Sequence, residues 1–240
     1  MFITEIRQEE AGPDETKAER TRRKVYETAM ALFREQGFDQ TTMRDISRQA
    51  GMALGAAYYY FPSKEAIIAS YYEATQYRHH AYVVEHLPGL KTLQERLKMV
   101  FRSKVELLQR DRLLLGTIFR YTGDPKHPLS LLGEGTRDLQ QQTVETIGLA
   151  LRGERFSREV AELLPMALWS LHMGMLLYLL YDESDEQKRT YALIDQSLAL
   201  TLQVLSVARQ PLLSPVITPI LRQVSGILDA AQINLTLSEK

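Results

Sequence analysis

The side chains with the most chemistry to offer stand close together: Thr42, Arg44, three consecutive tyrosines at positions 58, 59 and 60, and Lys64. Hydroxyl, guanidinium and ammonium groups are donors suited to anionic oxygen, phosphate above all. Three successive tyrosines on a helix cannot all face one core, so at least one hydroxyl must be exposed or paired, while Phe61 reads as core. The histidines invite a metal reading. His79 and His86 share a helix face with Glu85 beside them, but they lie seven apart, and ligands that reach one ion from a helix sit three or four apart. No metal or other cofactor is therefore expected. His127 lies in a proline-flanked loop, and His172 in an apolar helix reads as a structural or pocket histidine. Nucleophile elbow, phosphate loop, zinc-protease motif and dinucleotide fingerprint are all missing, which argues against an enzyme.

The elements that hold these residues are helices. The chain has 240 residues, 45% of them hydrophobic and 25% charged, with a net charge of −1 and no cysteine. That composition is globular and rules out disulfides and thiol chemistry; it fits a reducing compartment, and a cytoplasmic location is expected. Balanced charge excludes a globally basic coat but permits a basic face. Apolar residues recur at helical spacing from Asp14 onward, with no alternating β-branched runs, so the fold class is all-α. Val25, Ala29, Leu32 and Phe33 share one face of a first helix that Gly37 stops. Thr42 and Asp45 have capping-box spacing and open a short helix that ends at Gly51. A second short helix covers about 54 to 60, before Pro62 forbids continuation and Ser63 caps the next start. Two short helices joined by a tight glycine-containing turn form a helix-turn-helix. Longer helices follow near 64–86, 91–109, 111–122, 128–152, 157–182 and 185–209, with a last amphipathic piece around 220–228.

The stretch from Thr41 to Ala66, TTMRDISRQAGMALGAAYYYFPSKEA, resembles the N-terminal DNA-binding domain of the TetR family of bacterial transcriptional regulators. The resemblance joins a helix ending in Gly-Phe, the Thr-Thr start, Ile46, Ala50 and Gly51, and the ending Tyr-x-Tyr-Phe-x-Ser-Lys-Glu. It implies that the second short helix enters a major groove of double-stranded DNA, with Thr42, Arg44, Leu54, Gly55, Ala56, Tyr58, Tyr59, Tyr60 and Lys64 at the interface. By position, Arg44 would contact a base or phosphate, Tyr58 a base or phosphate, and Tyr60 and Lys64 phosphate. Family members commonly carry Ser, Lys and Thr where this chain has Ala53, Leu54 and Ala56. The exchange removes a helix cap and two polar reading groups, and leaves apolar contact with thymine methyls. Between Asp14 and Lys64 nine basic residues face seven acidic ones, a mildly basic +2.

The resemblance divides the chain into a tail (1–13), the helix-turn-helix domain (14–62), a helical ligand-binding and dimerisation domain (63–210) and a C-terminal extension (211–240). It implies a ligand-responsive regulator, a repressor that binds an inverted-repeat operator as a homodimer and is released by a small apolar or aromatic effector. Phe101, Phe119, Trp169, His172 and Met173 are the candidates to line the effector pocket. Leu168, Leu171, Met175 and Tyr178, with Leu193, Leu198, Leu202 and Leu205, mark the expected dimer helices. The uncharged stretch 163–181 nearly reaches spanning length, but Pro165, Ser170, His172 and Gly174 interrupt it and no second span accompanies it, so no membrane partner is expected. The alternative is a protein of this fold that has lost DNA reading and acts through partner or dimer contacts.

Overall fold

In the computed structural model, residues 16–121, 123–124, 126–130, 133–208, 219–220, 222–224 and 226 are described; the expected tail, and all but a few positions of the expected C-terminal extension and its last amphipathic piece, lie outside them. Regular structure among the described residues is helical throughout: α1 (Lys17–Gln36), α2 (Met43–Gln49), α3 (Leu54–Tyr60), α4 (Lys64–His86), α5 (Leu93–Leu108), α6 (Arg112–Tyr121), α7 (Arg137–Leu151), α8 (Arg158–Tyr181) and α9 (Lys188–Ala208).

Local chemistry sets most of the starts. Thr16 with Glu19, Thr42 with Asp45 and Thr92 with Glu95 each form a complete capping box, satisfying backbone donors that an α-helix cannot use internally. Ser157 caps α8, and the Ser63 hydroxyl accepts from the Ala66 N–H near the start of α4. Gly37 closes α1 at φ 88° and Gly51 sits in the turn after α2 at φ 67°, both in territory that favours glycine. α7 starts nine residues later than the apolar period predicts. A short 3₁₀ turn, Glu134–Thr136, precedes it, and the Thr136 hydroxyl donates to the Ser130 carbonyl at 2.5 Å.

Two compact units emerge, and neither is continuous in sequence. One comprises Met1–Arg78 and Arg110–Arg137; the other comprises His79–Gln109 and Asp138–Lys240. α4 passes through both. In the first unit α1 packs on α2, α3 and α6 around Val25, Ala29, Phe33, Ile46 and Phe61. There Arg34 of α1 donates through Nε and Nη2 to Asp111 at 2.6 and 3.0 Å, the buried Tyr71 hydroxyl of α4 donates to the same carboxylate at 2.9 Å, and Arg120 of α6 pairs with Asp39 at 2.5 Å. In the second unit α5 packs on α9 and α8, and α9 on α8. Arg102 holds Asp195 in a two-pronged pair at 2.7 and 3.1 Å, and Arg96 holds Glu154 at 2.6 Å.

Both α8 and the segment Asp185–Ala208 are long and apolar enough to cross a membrane by length and composition. The sequence reading expects one such stretch; the second escapes it because Asp195 and the polar residues of α9 are spread along the helix.

Candidate nucleic-acid interface

The head is built from the turn outward. In α2 the Thr42 hydroxyl and N–H donate to the Asp45 carboxylate at 2.6 and 3.1 Å, and the Asp45 N–H returns a bond to Thr42 at 3.1 Å. Those bonds, the Thr42 hydroxyl foremost, hold the Asp45 carboxyl below its ordinary range. Asp45 also receives Arg48 at 2.7 Å, so that cation is spent inside α2. Met43, Ile46 and Ala50 sink inward, leaving Thr42 and Arg44 outside.

α3 starts at Ala53 with extended backbone and no side-chain cap, as the sequence requires. Ala57 is fully buried and Phe61 nearly so, which fixes the rotation of the helix. Gly55 is exposed, and Leu54, Ala56 and Tyr60 are half-buried. Tyr58 and Tyr59 are the open aromatic residues, 47% and 82% exposed, and the rings of Tyr59 and Tyr60 meet edge to face at 5.1 Å. The helical period thus divides the aromatic run: Phe61 joins the core, and Tyr59, between the two tyrosines favoured for phosphate, is the most exposed of the three.

Lys64, expected at phosphate, has its ammonium engaged within the head. Its ammonium donates to the carbonyls of Phe38 at 2.7 Å and Thr41 at 3.0 Å, with the Asp39 carbonyl at 3.4 Å, and it lies 4.4 Å from the Phe38 ring centroid. All three N–H directions are used to tie down the loop between α1 and α2. Arg22 is likewise engaged, stacked 4.5 Å over the Phe61 ring with a bond to Ser70. Of the basic cluster that opens α1, Lys24 is the member whose ammonium comes near the Gly51 turn.

The candidate pocket residues fall in both units. Phe101, Trp169, His172 and Met173 belong to the second unit, and Phe119 to the first. Phe101, Trp169 and His172 are buried, and the Phe101 and His172 rings meet edge to face at 5.3 Å. His79, weighed above as a ligand, is a buried structural group: its Nε2 bonds the Val100 carbonyl at 3.0 Å and the Ser103 hydroxyl at 3.1 Å. His80 pairs with Thr146 at 3.0 Å. Two groups escape a reading by motif. Asp111, which gathers Arg34 and Tyr71, gives no local signal. Lys104 does give one, since it interrupts the apolar face of α5 at a core position.

The chain matches "Bacterial regulatory proteins, tetR family" over residues 25–71 and "Tetracyclin repressor-like, C-terminal domain" over residues 96–223. The chain belongs to the TetR family. The HTH-type transcriptional regulator AcrR of Shigella flexneri is 32% identical over 107 residues, covering 42% of this chain and 49% of that protein. Matches to curated relatives span from under a third to about half of those proteins' length. A TetR transcriptional regulator from Nitrosomonas europaea shares the fold with a TM-score of 0.61 at 14% identity, over 75% of this chain and 96% of that one. Thermus thermophilus FadR, a TetR-family repressor solved with lauroyl-CoA, does so with a TM-score of 0.55 at 22% identity, over 75% and 93%. The matched head of this TetR-family chain holds α2, the Gly51 turn and α3, the helix-turn-helix described above.

Proposed function

We propose that this regulator binds an inverted-repeat operator in the cytoplasm as a homodimer, acts as a repressor, and is released by a small apolar or aromatic effector. The observation that carries the DNA reading is the exposure of Tyr58 and Tyr59 with Arg44 on a head whose Ala57 and Phe61 are locked inward. In this reading α3 lies in the major groove. Leu54 and Ala56 meet thymine methyls, Gly55 lets the backbone approach, and Thr42, Arg44, Tyr58, Tyr59 and Tyr60 contact phosphate or base edges. Lys64 serves the interface by positioning the loop before α2. The division of the chain into a head (14–62) and an effector and dimer domain (63–210) stays part of the proposal.

The dimer reading rests on the outer faces of α8 and α9. Leu168, Met175, Leu198 and Leu205, chosen from spacing, are buried within the chain and unavailable to a partner. Leu177, Tyr178 and Tyr181 on α8, and Leu200, Val204 and Val207 on α9, are the apolar residues left outside, with Leu200 61% exposed. Such a face on two helices is what a two-fold four-helix pairing would cover. Effector release is supported by FadR, which shares the fold and was solved with lauroyl-CoA. α4 runs unbroken by proline or glycine from Lys64 to His86 and belongs to both units, so a ligand that tilts it would bias the two heads of a dimer.

The test is selection from a random duplex pool with the purified full chain. Inverted repeats with half-sites one helical turn or a multiple apart, about 34–36 Å per turn, are the expected outcome. Tight binding to a single half-site, or no enrichment, overturns it.

A further inference from the structure

The loop between α1 and α2 is held several times over. Phe38 is buried, the fully buried Thr41 donates its hydroxyl to the Gly37 carbonyl at 2.8 Å, and Gln36 donates to the Thr41 hydroxyl at 3.1 Å. Lys64 adds its bonds to the Phe38, Asp39 and Thr41 carbonyls. One further tie to this loop comes from a distant part of the chain. Arg120 of α6, 81 residues on, donates through Nη1 to the Asp39 carboxylate at 2.5 Å, and both residues belong to one compact unit. Their side chains are 60% and 45% exposed, and an ion pair this open to water adds little to the fold. A loop already fixed by buried groups gains little hold from it. What the pair changes is where charge sits.

Asp39 lies three residues before Thr42. Three Cα steps of about 3.8 Å keep it within about 11 Å of the start of α2, roughly one Debye length at 0.1 M salt. A bare carboxylate at that distance opposes phosphate on the surface where Thr42 and Arg44 stand. Two other acids of the head find their cations nearby: Asp45 takes Arg48 within α2 at 2.7 Å, and Glu27 takes Arg23 within α1 at 3.3 Å. Those pairs are already counted in the +2 between Asp14 and Lys64. Arg120 is not, because α6 lies outside that stretch, and including it brings the head to +3.

We propose that Arg120 is a positioning residue for DNA binding that acts from outside the helix-turn-helix: it cancels the Asp39 charge beside α2, so that the phosphate backbone meets no uncompensated carboxylate there. This rests on the DNA reading above and adds to it a residue that the head alone does not contain. The experiment compares full-length wild type, Arg120→Gln, Asp39→Asn and the double variant, each checked for folding by circular dichroism. Fluorescence anisotropy follows binding to labelled duplexes of about 30 base pairs, roughly three helical turns, one an inverted repeat from the random-pool selection and one its scrambled counterpart. Arg120→Gln should bind both duplexes about 3- to 10-fold more weakly at low salt, and Asp39→Asn should bind as tightly as wild type or more tightly. The double variant should return to within about two-fold of wild type, because a neutral pair replaces a cancelled one. The deficit of Arg120→Gln should shrink as salt rises, which a merely loosened loop would not reproduce. Arg120→Lys, which keeps the charge and gives up the planar fork, should stay within about two-fold of wild type. A loss that Asp39→Asn does not repair overturns the proposal, since Arg120 would then act on DNA itself or on the fold, and so does weaker binding by Asp39→Asn alone. Wild type that binds DNA no differently from all three variants sinks this inference and leaves the DNA reading standing. Wild type that binds neither duplex sinks both.

Discussion

Replacing Asp111 by alanine tests how the DNA-binding head is braced. Asp111 is nearly buried at the entrance to α6 and accepts three bonds, two from Arg34 and one from Tyr71. Its hydrogen bond, foremost, raises the Arg34 pKa, and burial, foremost, raises that of Tyr71 with Asp111 adding to it. Removing the carboxylate takes the acceptor of the Tyr71 O–H and leaves the hydroxyl only its bond with Thr75, a loss of about 1–3 kcal/mol for a buried donor left unsatisfied. The Arg34 side chain is about half exposed, so water replaces its partner and that pair contributes only about 1 kcal/mol. The sum, about 2–4 kcal/mol, should appear in urea unfolding followed by far-ultraviolet circular dichroism, with faster hydrogen exchange in α6. A Tyr71→Phe background removes the stranded hydroxyl, so there Asp111→Ala should cost only about 1 kcal/mol, exposing the coupling directly. If Asp111→Ala lies within about 0.5 kcal/mol of wild type, or costs the same in both backgrounds, the bracing argument is wrong.

Ala53→Ser should supply the missing cap of α3, whose capping residue already has extended backbone, and stabilise the protein by about 0.5–2 kcal/mol in thermal melts. Lys64→Met should loosen the loop between α1 and α2 without changing the salt slope of DNA binding by the folded protein; a slope shallower by about one unit would return Lys64 to a phosphate. Leu200→Glu with Val204→Glu should give monomers in sedimentation at micromolar concentration, and a dimer unaffected by both charges would move the interface elsewhere. Acid should destabilise early: His172 titrates at about 3 when folded against an ordinary 6.5, so the unfolded chain binds the extra proton between those values. Stability should fall as pH drops from about 6.5 toward 3, at about 1.4 kcal/mol per pH unit for this group, with His79 acting in the same direction. His172→Leu should flatten that slope in pH-dependent urea midpoints, and an unchanged slope would contradict the burial of a neutral ring.

The helix-turn-helix was legible because its signals are local. Thr42 and Asp45 lie three apart, Gly51 turns the chain by itself, and Pro62 and Ser63 punctuate the next start, so each reads without its surroundings. The internal bonds of Lys64 were illegible for the opposite reason. A lysine at a helix start looks solvated, and the carbonyls that take its ammonium lie 23 to 26 residues back in the chain. The start of α7 was misplaced because Leu129, Leu131 and Leu132 extend the apolar period in sequence, while the Thr136 bond to Ser130 depends on folded geometry. Periodicity on α8 and α9 found apolar residues but could not divide them between the chain's own core and an outer face, since both faces carry leucine.

The first compact unit is assembled from two stretches of chain, and this bears on the order in which the protein can be made. Arg34 leaves the ribosome 77 residues before Asp111, and Asp39 leaves 81 before Arg120. At about 5–20 residues per second, α1 to α3 wait roughly 4–16 s for the segment that braces them. During that interval the nascent head holds its short helices by capping boxes, the Phe33, Ile46 and Phe61 core and the Lys64 bonds to the loop before α2, without Asp111 or Arg120. A head released at residue 78 would never acquire Asp111 or Arg120, so proteolytic separation of the reading head from the rest should leave it weaker than the same residues in the whole chain.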